Sequence, residues 1–483
     1  MSGLSPFPAT CGGAGGIAYI NSEVEPHIAV NPRDANHLVG VWQQDRWSSG
    51  SARGLLTGVS FDGGTTWSAF QAPFSECTGG NAGNGGNYER ATDPWVSFAP
   101  DGTVYQSTVT GTGGTFAAGS RNAVLVSRSG DGGRNWSNPA TLITDGATAF
   151  NDKETITADP ADARFVYAVW DRIRQGGNGP SYFARTTDGG LTWEPARALF
   201  DPGPDAQTIA NLIGVLPDGT LVNMYLWLQG TDEKFTDARI EVVRSTDRGV
   251  TWSARIRVSD FRGLGARDPV TGQAIRDGSI VPQMAVAPDG TLYVVWQDAR
   301  FTGLRDAIAL ARSTDGGLTW SAPIRVNSDP TVAAFTPQVH VRADGVVGVT
   351  YFDLRSDTAS RATLLTDYWI ARSSDGVNFT ETRVSAPFDI ATAPLVGGAV
   401  FLGDYMGLGS AGTTFLSFFV RTTAIAGNAT DVFFARVAAT AAASQAAREP
   451  TGASPAASPA ADAEFERKVF ANLAAARARR AMR

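Results

Sequence analysis

The sequence is poor in the residues that build metal centres and disulfide scaffolds. Only two cysteines, Cys11 and Cys77, occur in 483 residues, and together with three histidines they show no zinc-ligand spacing. No acidic loop of the EF-hand type is present, so neither a metal site nor a cofactor is predicted, although a structural calcium ion is left open. Both cysteines lie in glycine-rich loops, and the sequence leaves open whether they form a disulfide.

Long apolar runs and an excess of basic charge are also absent. No stretch is long enough to span a bilayer, and residues 1–10 lack the charged segment and following apolar segment of a signal peptide. The formal net charge is −7, so the chain lacks the basic footprint of non-specific nucleic-acid binding. We therefore expect neither a nucleic-acid partner nor a transmembrane segment.

What the chain has in abundance is one recurring motif. Residues 313–320 read STDGGLTW, and similar copies end at Trp67, Trp136, Trp193 and Trp252, with a degenerate copy at 373–379. The aspartate suits backbone N–H donors in a turn, and glycine adopts positive φ without a steric clash. The tryptophan suits burial between neighbouring sheets. The motif thus predicts a repeated turn in an architecture built from one supersecondary unit, and not a catalytic element.

The pattern S-x-D-x-G-x-T-W resembles the Asp-box of sialidase-like β-propellers, and the resemblance covers about residues 17–437. It implies an all-β fold made of four-stranded blades. It also implies a carbohydrate substrate or ligand and an extracellular or periplasmic location. The motif is specific for fold and weak for function, because Asp-boxes also occur in propellers that hydrolyse other glycans or only bind.

Counting the units favours seven blades over the six of sialidases. The units recur at roughly 55 to 70 residues. Asp-boxes mark the first six, and a seventh unit follows at 401–408, 414–421 and 431–437 without a box or a fourth strand. Residues 17–22 are predicted to supply that missing strand and so to close the ring without a free sheet edge.

The composition changes after the predicted propeller. The expected division is an N-terminal segment at 1–16, the β-propeller at 17–437, an Ala/Ser/Pro-rich linker at 438–461 and a basic helical tail at 462–483. Phe465, Val469 and Leu473 recur at helical spacing in this tail. Its arginines are Arg477, Arg479, Arg480 and Arg483. The tail is interpreted as a helix that docks on the propeller or stays free, with a contact to a partner or membrane surface as the alternative.

The candidate site lies on the propeller face where innermost strands begin and second strands end, opposite the Asp-boxes. Features repeated in most blades are architectural, and among them we predict the ion pairs Arg300–Asp306 and Arg355–Asp367. Residues that break the repeat are better functional candidates. The predicted catalytic residues are Tyr405, Glu154, Asp93 and Glu25. The predicted substrate-binding residues are Arg46, Arg90, Lys153, Arg172, Asp404 and His27.

Sialidases use a Tyr nucleophile activated by a Glu, an acid/base Asp and three Arg that bind the substrate carboxylate. The resemblance gives Tyr405 and Glu154 the first two roles. Two departures argue against a conventional sialidase: Glu25-Pro26-His27-Ile28 replaces the family's F-R-I-P, and the loop at 47–53 has no carboxylate. The predicted function is a glycoside hydrolase or related enzyme on an acidic or decorated polysaccharide. A non-catalytic glycan- or protein-binding propeller and a structural or assembly role are the alternatives.

Overall fold

Antiparallel sheets of consecutive strands repeat along the chain. The computed structural model describes residues 3–13, 15–176, 178–231, 234–438 and 459–481. The first two units are β1 (Ala18–Asn31), β2 (Asp34–Trp47), β3 (Ala52–Ser60) and β4 (Ser68–Phe70), then β5 (Arg90–Phe98), β6 (Val104–Thr112), β7 (Arg121–Ser129) and β8 (Ala140–Asp145). The next two are β9 (Ala149–Ala158), β10 (Val166–Arg174), β11 (Ser181–Thr186) and β12 (Arg197–Phe200), then β13 (Ala206–Val215), β14 (Leu221–Thr231), β15 (Lys234–Ser245) and β16 (Ile256–Asp260).

The later units follow the same plan with one small addition. They are β17 (Ile275–Arg276), β18 (Gln283–Val286), β19 (Leu292–Asp298), β20 (Ala307–Ser313) and β21 (Ile324–Arg325), then β22 (Ala334–Val341), β23 (Val347–Asp353), β24 (Leu365–Ser373) and β25 (Thr380–Asp389). The last are β26 (Leu395–Val396), β27 (Ala399–Phe401), β28 (Gly407–Ala411), β29 (Thr414–Ile425) and β30 (Asn428–Val437). Two 3₁₀ turns lie at Glu76–Thr78 and Ile390–Thr392. The short strands β17, β27 and β26 form a sheet of their own, in which β17 is parallel to β27.

The innermost strands succeed one another around a common centre. Among the described residues, the succession is β1, β5, β9, β13, β18, β22 and β28, and each contacts the next, with β28 contacting β1 again. Apolar side chains fill the spaces between adjacent sheets, as where Val295 and Leu310 of one sheet share a cluster with Val339 and Tyr351 of the next. The all-β propeller fold predicted from the motif is confirmed, and the count of seven blades stays a prediction that this succession supports.

The repeated turns have the hydrogen bonds that the motif predicts. In each copy the aspartate side chain accepts an N–H from three or four residues ahead, at 2.8 to 2.9 Å, and the acceptors are Asp62, Asp131, Asp188, Asp247, Asp315 and Asp375. Gly317, the second glycine of the 313–320 turn, has φ 88°. The ring of Trp67 packs 5.7 Å from Phe418 and 5.3 Å from Phe434, so the first turn joins the first sheet to the last.

The predicted role of residues 17–22 is wrong. They were expected to add a fourth strand to the last sheet, but that sheet has three described strands, β28, β29 and β30. The backbone of Ala18 and Tyr19 pairs instead with β2, because these residues form the N-terminal end of β1, the innermost strand of the first sheet. The N-terminal stretch still reaches the last sheet through a side chain, since a Glu23 carboxylate oxygen accepts the Val432 N–H at 2.9 Å. Residues 18 and 19 are continuous with β1 and follow its pairing with β2.

The tail forms a helix, α1 (Pro459–Ala481), that packs on the propeller. Val469 and Leu473 are buried within the largest apolar cluster, and Phe465 packs against the same cluster. The Asn472 side-chain amide donates to the Gly263 carbonyl at 3.1 Å. Docking on the propeller, one of the two interpretations of the helix, is therefore what the structure shows. Most of the predicted linker, at 439–458, and the side chains of Arg477, Arg479, Arg480 and Arg483 lie outside the described residues.

Cys11 and Cys77 are joined in a disulfide, which settles the pairing that the sequence left open. The bond ties the segment before the first sheet to the loop that leads into the second, across 66 residues. Within the described residues, no helix is long and apolar enough to cross a membrane.

Replacing Asp315 with alanine tests the repeated turn. The change removes acceptors for two backbone N–H groups and the Thr319 hydroxyl, so the free energy of unfolding should fall by about 1 kcal/mol, as for loss of a helix cap. Hydrogen bonds from Thr319 are the largest cause that lowers the pKa of Asp315 to about 2 from its usual 3.8. This stabilisation is complete above pH 3.8 and is lost as the pH falls through 2.

Urea unfolding at neutral pH and near pH 2 measures both effects for Asp315→Ala. The control is Asp101→Ala, because Asp101 accepts one turn N–H, from Thr103 at 2.9 Å, and should cost less. A loss for Asp315→Ala that is the same at both pH values would contradict the role assigned to its carboxylate.

Candidate active site

Bulges at the start of the innermost strands turn polar side chains inward. The register of β1 with β2 breaks between Val24 and His27, and β5 and β9 break at the equivalent place. The first bulge residues are Glu25, Asp93 and Lys153, with φ 53°, 53° and 49°. A left-handed backbone costs a non-glycine residue about 1–2 kcal/mol, and such strain is typical of functional sites. Three neighbouring strands therefore share one strained conformation at one level of the channel.

Lys153 stands at the centre of three carboxylates. Its Nζ atom lies 2.9 Å from Glu25 Oε1 and 2.9 Å from Asp404 Oδ2, and it also bonds Asp93 Oδ1. All four side chains are at most 3% exposed. Burial raises the pKa of Glu25, and the positive charge of Lys153 acts in the opposite direction. Removing an ammonium from such a site would leave buried carboxylates without a counter-charge. Four of the ten predicted residues thus meet at one point.

A second layer of donors surrounds these carboxylates. Arg276 donates from Nε and Nη2 to the two oxygens of Asp404, at 3.2 and 2.9 Å. The Gln43 amide donates to Glu25, and Arg46 donates to the Gln43 oxygen. Arg46 was predicted to bind substrate, and the structure places it one step behind Glu25. Gln43 was missed, because a neutral side chain in a strand carries no sequence signal of its role.

Arg276 was not among the site residues predicted from the sequence. It reaches Asp404 because β17, which contains it, pairs in parallel with β27, and Arg276 lies opposite Phe401 in that register. Its guanidinium carbon is 4.4 Å from the centroid of the Phe401 ring. A two-residue parallel strand has no recognisable sequence pattern, so this pairing was not predictable.

Glu154 differs from the other carboxylates in having no cation against it. Neither carboxylate oxygen has a hydrogen-bond partner among the described residues, although the side chain is buried. Burial is the main cause that raises the pKa of Glu154 well above 4.5, and the charge of Asp93 adds to it. The carboxyl lies on a cavity of about 20 Å³ that Trp95, Lys153 and Tyr405 also line. Glu154 is therefore a buried carboxyl with a raised pKa, and it lines a space that can hold a single water molecule.

Tyr405 lines the same cavity. Its hydroxyl donates to the Pro94 carbonyl at 3.1 Å, and its ring meets Trp95 edge-on at 5.3 Å. Lys153 Nζ is 5.3 Å from the ring centroid. Burial, followed by the charge of Glu25, raises the pKa of Tyr405 well above 10. The phenol is therefore held protonated in the closed site.

His27 belongs to the apolar side of the site. Its ring stacks on Trp95 with centroids 3.8 Å apart, and its Nδ1 accepts the Val96 N–H at 3.4 Å. Burial lowers the pKa of His27 to about 3 from 6.5, so the ring is neutral over the physiological range. It shapes the channel wall through stacking and carries no charge there.

Two predicted arginines are engaged outside the Lys153 cluster. Arg90 donates to Ser49 Oγ at 2.9 Å and to the Gly15 carbonyl at 3.0 Å, so it ties the N-terminal segment to the loop after β2. Arg172 donates from two nitrogens to Asp145, at 2.8 and 2.6 Å. Both arginines thus close loops of the site face.

Both predicted ion pairs between second and third strands are wrong, and for one reason. Each arginine turns back to the aspartate two residues before it, where its own backbone N–H also bonds that aspartate; the pairs are Arg300 with Asp298 and Arg355 with Asp353. Asp306 instead accepts the N–H groups of Leu264 and Gly265 at 2.7 and 2.8 Å. A local turn costs less chain entropy than the longer loop that was predicted.

The sheets, their central succession and their outer turns define a β-propeller. No protein-family model matches the chain. A xyloglucanase from Paenibacillus sp is 28% identical over 277 residues, covering 51% of this chain and 24% of that protein. The chain thus spans about a quarter of the length of this curated relative.

Solved structures are similar at low sequence identity. The Hadza microbial sialidase Hz136 is 16% identical, with 75% of this chain and 66% of that chain covered and a TM-score of 0.45. An α-L-arabinanase from Penicillium chrysogenum is 14% identical, with 72% and 90% covered and a TM-score of 0.45. A protein of unknown function from Dyadobacter fermentans is 15% identical, with 68% and 90% covered and a TM-score of 0.44.

Replacing Lys153 with methionine tests the central cation. The change leaves three buried carboxylates without it, so the free energy of unfolding should fall by about 3–5 kcal/mol at pH 8. The pKa of Glu25, already raised by burial, should rise further in the variant. The folded variant then holds protons that the unfolded chain releases, so its stability should fall as the pH rises.

Guanidinium unfolding of wild type and Lys153→Met at pH 5 and pH 8 measures this. The stability difference should be smaller at pH 5, where the carboxyls take up protons. The exposed Lys468 of α1 offers a matched control, and Lys468→Met should stay within about 0.5 kcal/mol of wild type. An equal loss for Lys153→Met at both pH values would show that lost packing, and not charge, is responsible.

Proposed function

We propose that this propeller is a glycoside hydrolase-like protein that acts on glycans, with Glu154 as its proton donor. The observation that carries the proposal is the state of Glu154, a buried carboxyl with a raised pKa and no partner on either oxygen among the described residues. A carboxyl whose pKa is raised by burial is the kind of group that protonates a glycosidic oxygen. The neighbouring carboxylates are paired with Lys153, so the two environments differ.

The other residues take roles that follow from their contacts. Asp93 bonds Lys153 and supplies negative charge close to the channel, which suits a transition state with oxocarbenium character. Glu25 and Asp404 hold the ammonium in place. Tyr405 lines the same cavity as Glu154, and its hydroxyl donates to the Pro94 carbonyl, so its role is to shape the wall beside the acid.

The similarity to a protein named xyloglucanase supports a polysaccharide as the substrate class. Because the chain spans about a quarter of that relative, the activity of the relative is carried here as a proposal. Two features speak against sialic acid as the substrate. The segment Glu25-Pro26-His27-Ile28 lacks the carboxylate-binding arginine of the family's F-R-I-P, and the loop at 47–53 has no carboxylate. A decorated plant-type polysaccharide is the substrate class we favour.

A non-catalytic glycan-binding propeller is the second candidate, and one observation favours it. The proposed catalytic residues are at most 3% exposed, and the cavity beside Glu154 is about 20 Å³. A sugar ring reaches Glu154 only if the wall of the channel moves. If it does not move, recognition takes place on the open face above.

An extracellular or periplasmic location is part of the proposal. The Cys11–Cys77 disulfide supports it, because such bonds form and persist in oxidising compartments. A partner contact of the basic tail is proposed on its arginine content alone.

Polysaccharide hydrolysis by Glu154→Gln tests the catalytic proposal. Reducing-end release from xyloglucan, arabinan and uronide polymers should fall about 10²- to 10⁴-fold, because the amide has no proton to donate. Activity of wild type should fall as the pH rises through the raised pKa of Glu154, because only the acid form works. Tyr405→Phe measures the need for the phenol in the same assay.

The control for this experiment is Glu76→Gln, since Glu76 is an exposed carboxylate of a 3₁₀ turn and should leave the rate unchanged. No turnover on any polymer, together with binding on a glycan array, would contradict the catalytic proposal and support the binding propeller.

A further inference from the structure

A large cavity lies away from Glu154, between the fifth and sixth sheets and helix α1. Its volume is about 790 Å³, within the range of roughly 300–1,000 Å³ that is typical of sites for small ligands. Loops of the site face form two sides, and α1 forms the third. We call it the helix cleft, and the residues that concern its chemistry are Leu264, Arg267, Leu304, Arg305, Leu354 and Lys468.

The loop that makes the floor of the helix cleft is held in one shape. The Asp306 carboxylate accepts the N–H groups of Leu264 and Gly265 from below, at 2.7 and 2.8 Å. Further along the loop, Asp268 accepts the N–H of Val270 at 2.7 Å and the N–H of Thr271 at 3.1 Å. Both aspartates thus hold the backbone of the floor in place.

Helix α1 packs closely against the loop that forms this floor. The Asn472 amide donates to the Gly263 carbonyl at 3.1 Å, and Gly265 has φ 75°. A Cβ at Gly265 would collide with the Asn472 side chain, so the position combines a glycine-only backbone with a close approach. With Val469 and Leu473 buried, the helix presents Lys468 and Ala471 to the cleft, and both are exposed.

Cations outnumber carboxylates in the helix cleft, whereas the whole chain has a net negative charge. Arg267, Arg305 and Lys468 line it, against two carboxylates, Asp268 and Asp357. Asp268 is bonded by its own turn, and Asp357 accepts the Leu365 N–H at 3.0 Å. Three cations against two carboxylates leave one net positive charge along the cleft, in a protein of net charge −7. Such a local excess attracts an anionic ligand.

The same cleft offers apolar contact between its cations. Leu304 is 72% exposed at the rim, and Leu264, Val332 and Leu354 lie along the walls. The combination of apolar wall and separated cations fits a ligand with both non-polar faces and carboxylates. Carboxylated sugars have this character, because their C–H faces are apolar and their acid groups project from the ring edge.

We propose that the helix cleft is a binding site for a carboxylated oligosaccharide, with Arg305 and Lys468 as the groups that bind its carboxylates. The proposal rests on the proposed action on glycans and specifies the charge of the glycan and a second place where it binds, off the axis that contains Glu154. Helix α1 is then a wall of a ligand site, which accounts for its close packing against the loop at Gly263 and Gly265.

Calorimetric titration of the full chain with galacturonate trisaccharide tests the proposal. The fully methyl-esterified trisaccharide is the matched neutral ligand. The acid form should bind at least about tenfold more tightly than the ester, and Arg305→Ala and Lys468→Ala should each weaken it about three- to tenfold. Binding should also weaken as NaCl is raised.

The control variant is Arg174→Ala, an exposed arginine at the end of β10 on the same face, which should leave the affinity unchanged. Glu154→Gln separates this proposal from the catalytic one, because it should abolish hydrolysis and leave binding in the helix cleft intact. Equal affinity for acid and ester, or full affinity in the Arg305→Ala/Lys468→Ala double variant, would overturn the proposal. Binding that is lost in Glu154→Gln would overturn it too, by placing the ligand on the axis.

Discussion

One buried ammonium group holds the centre of this propeller together. Lys153 of β9 bonds carboxylates that come from β1, from β5 and from the segment just before β28, so a single cation joins the beginning and the end of the ring. Charges at this depth are tolerated only when they are paired and hydrogen-bonded. The left-handed bulges, the second layer of donors and the short parallel pairing of β17 with β27 all serve that requirement.

The same electrostatics creates two kinds of acid within one channel. The carboxylates that touch Lys153 share its charge, whereas Glu154, the next residue along the strand, forms no salt bridge within the part of the chain that the structure describes. Its burial then favours the neutral form, and the nearby negative charge of Asp93 reinforces this. Unlike environments for adjacent acids are how proteins separate a proton donor from charge-stabilising groups. The arrangement also explains why the cluster is closed, because water would weaken every one of these effects.

Local chemistry made much of the fold predictable. The bonds of each repeated turn lie within eight residues, so the STDGGLTW pattern predicted them from composition and spacing. The helical spacing of Val469 and Leu473 likewise predicted helix α1, in which both side chains are buried. Predictions that needed a choice between partners failed more often. Arg300 and Arg355 each had two aspartates within reach, and the residues at 17–22 had two sheets to join.

The candidate site divides in the same way. The repeat-breaking residues Glu25, Asp93, Lys153 and Asp404 do meet, because the repeat itself fixes which end of each innermost strand faces the channel. Sequence alone therefore determined the architecture, the face of the site and most members of its charged cluster. The tertiary structure alone decided the pairing of Arg276 with Asp404, the isolation of Glu154 and the cleft beside α1. Each of these depends on distances between segments far apart in the chain, which no periodicity in the sequence records.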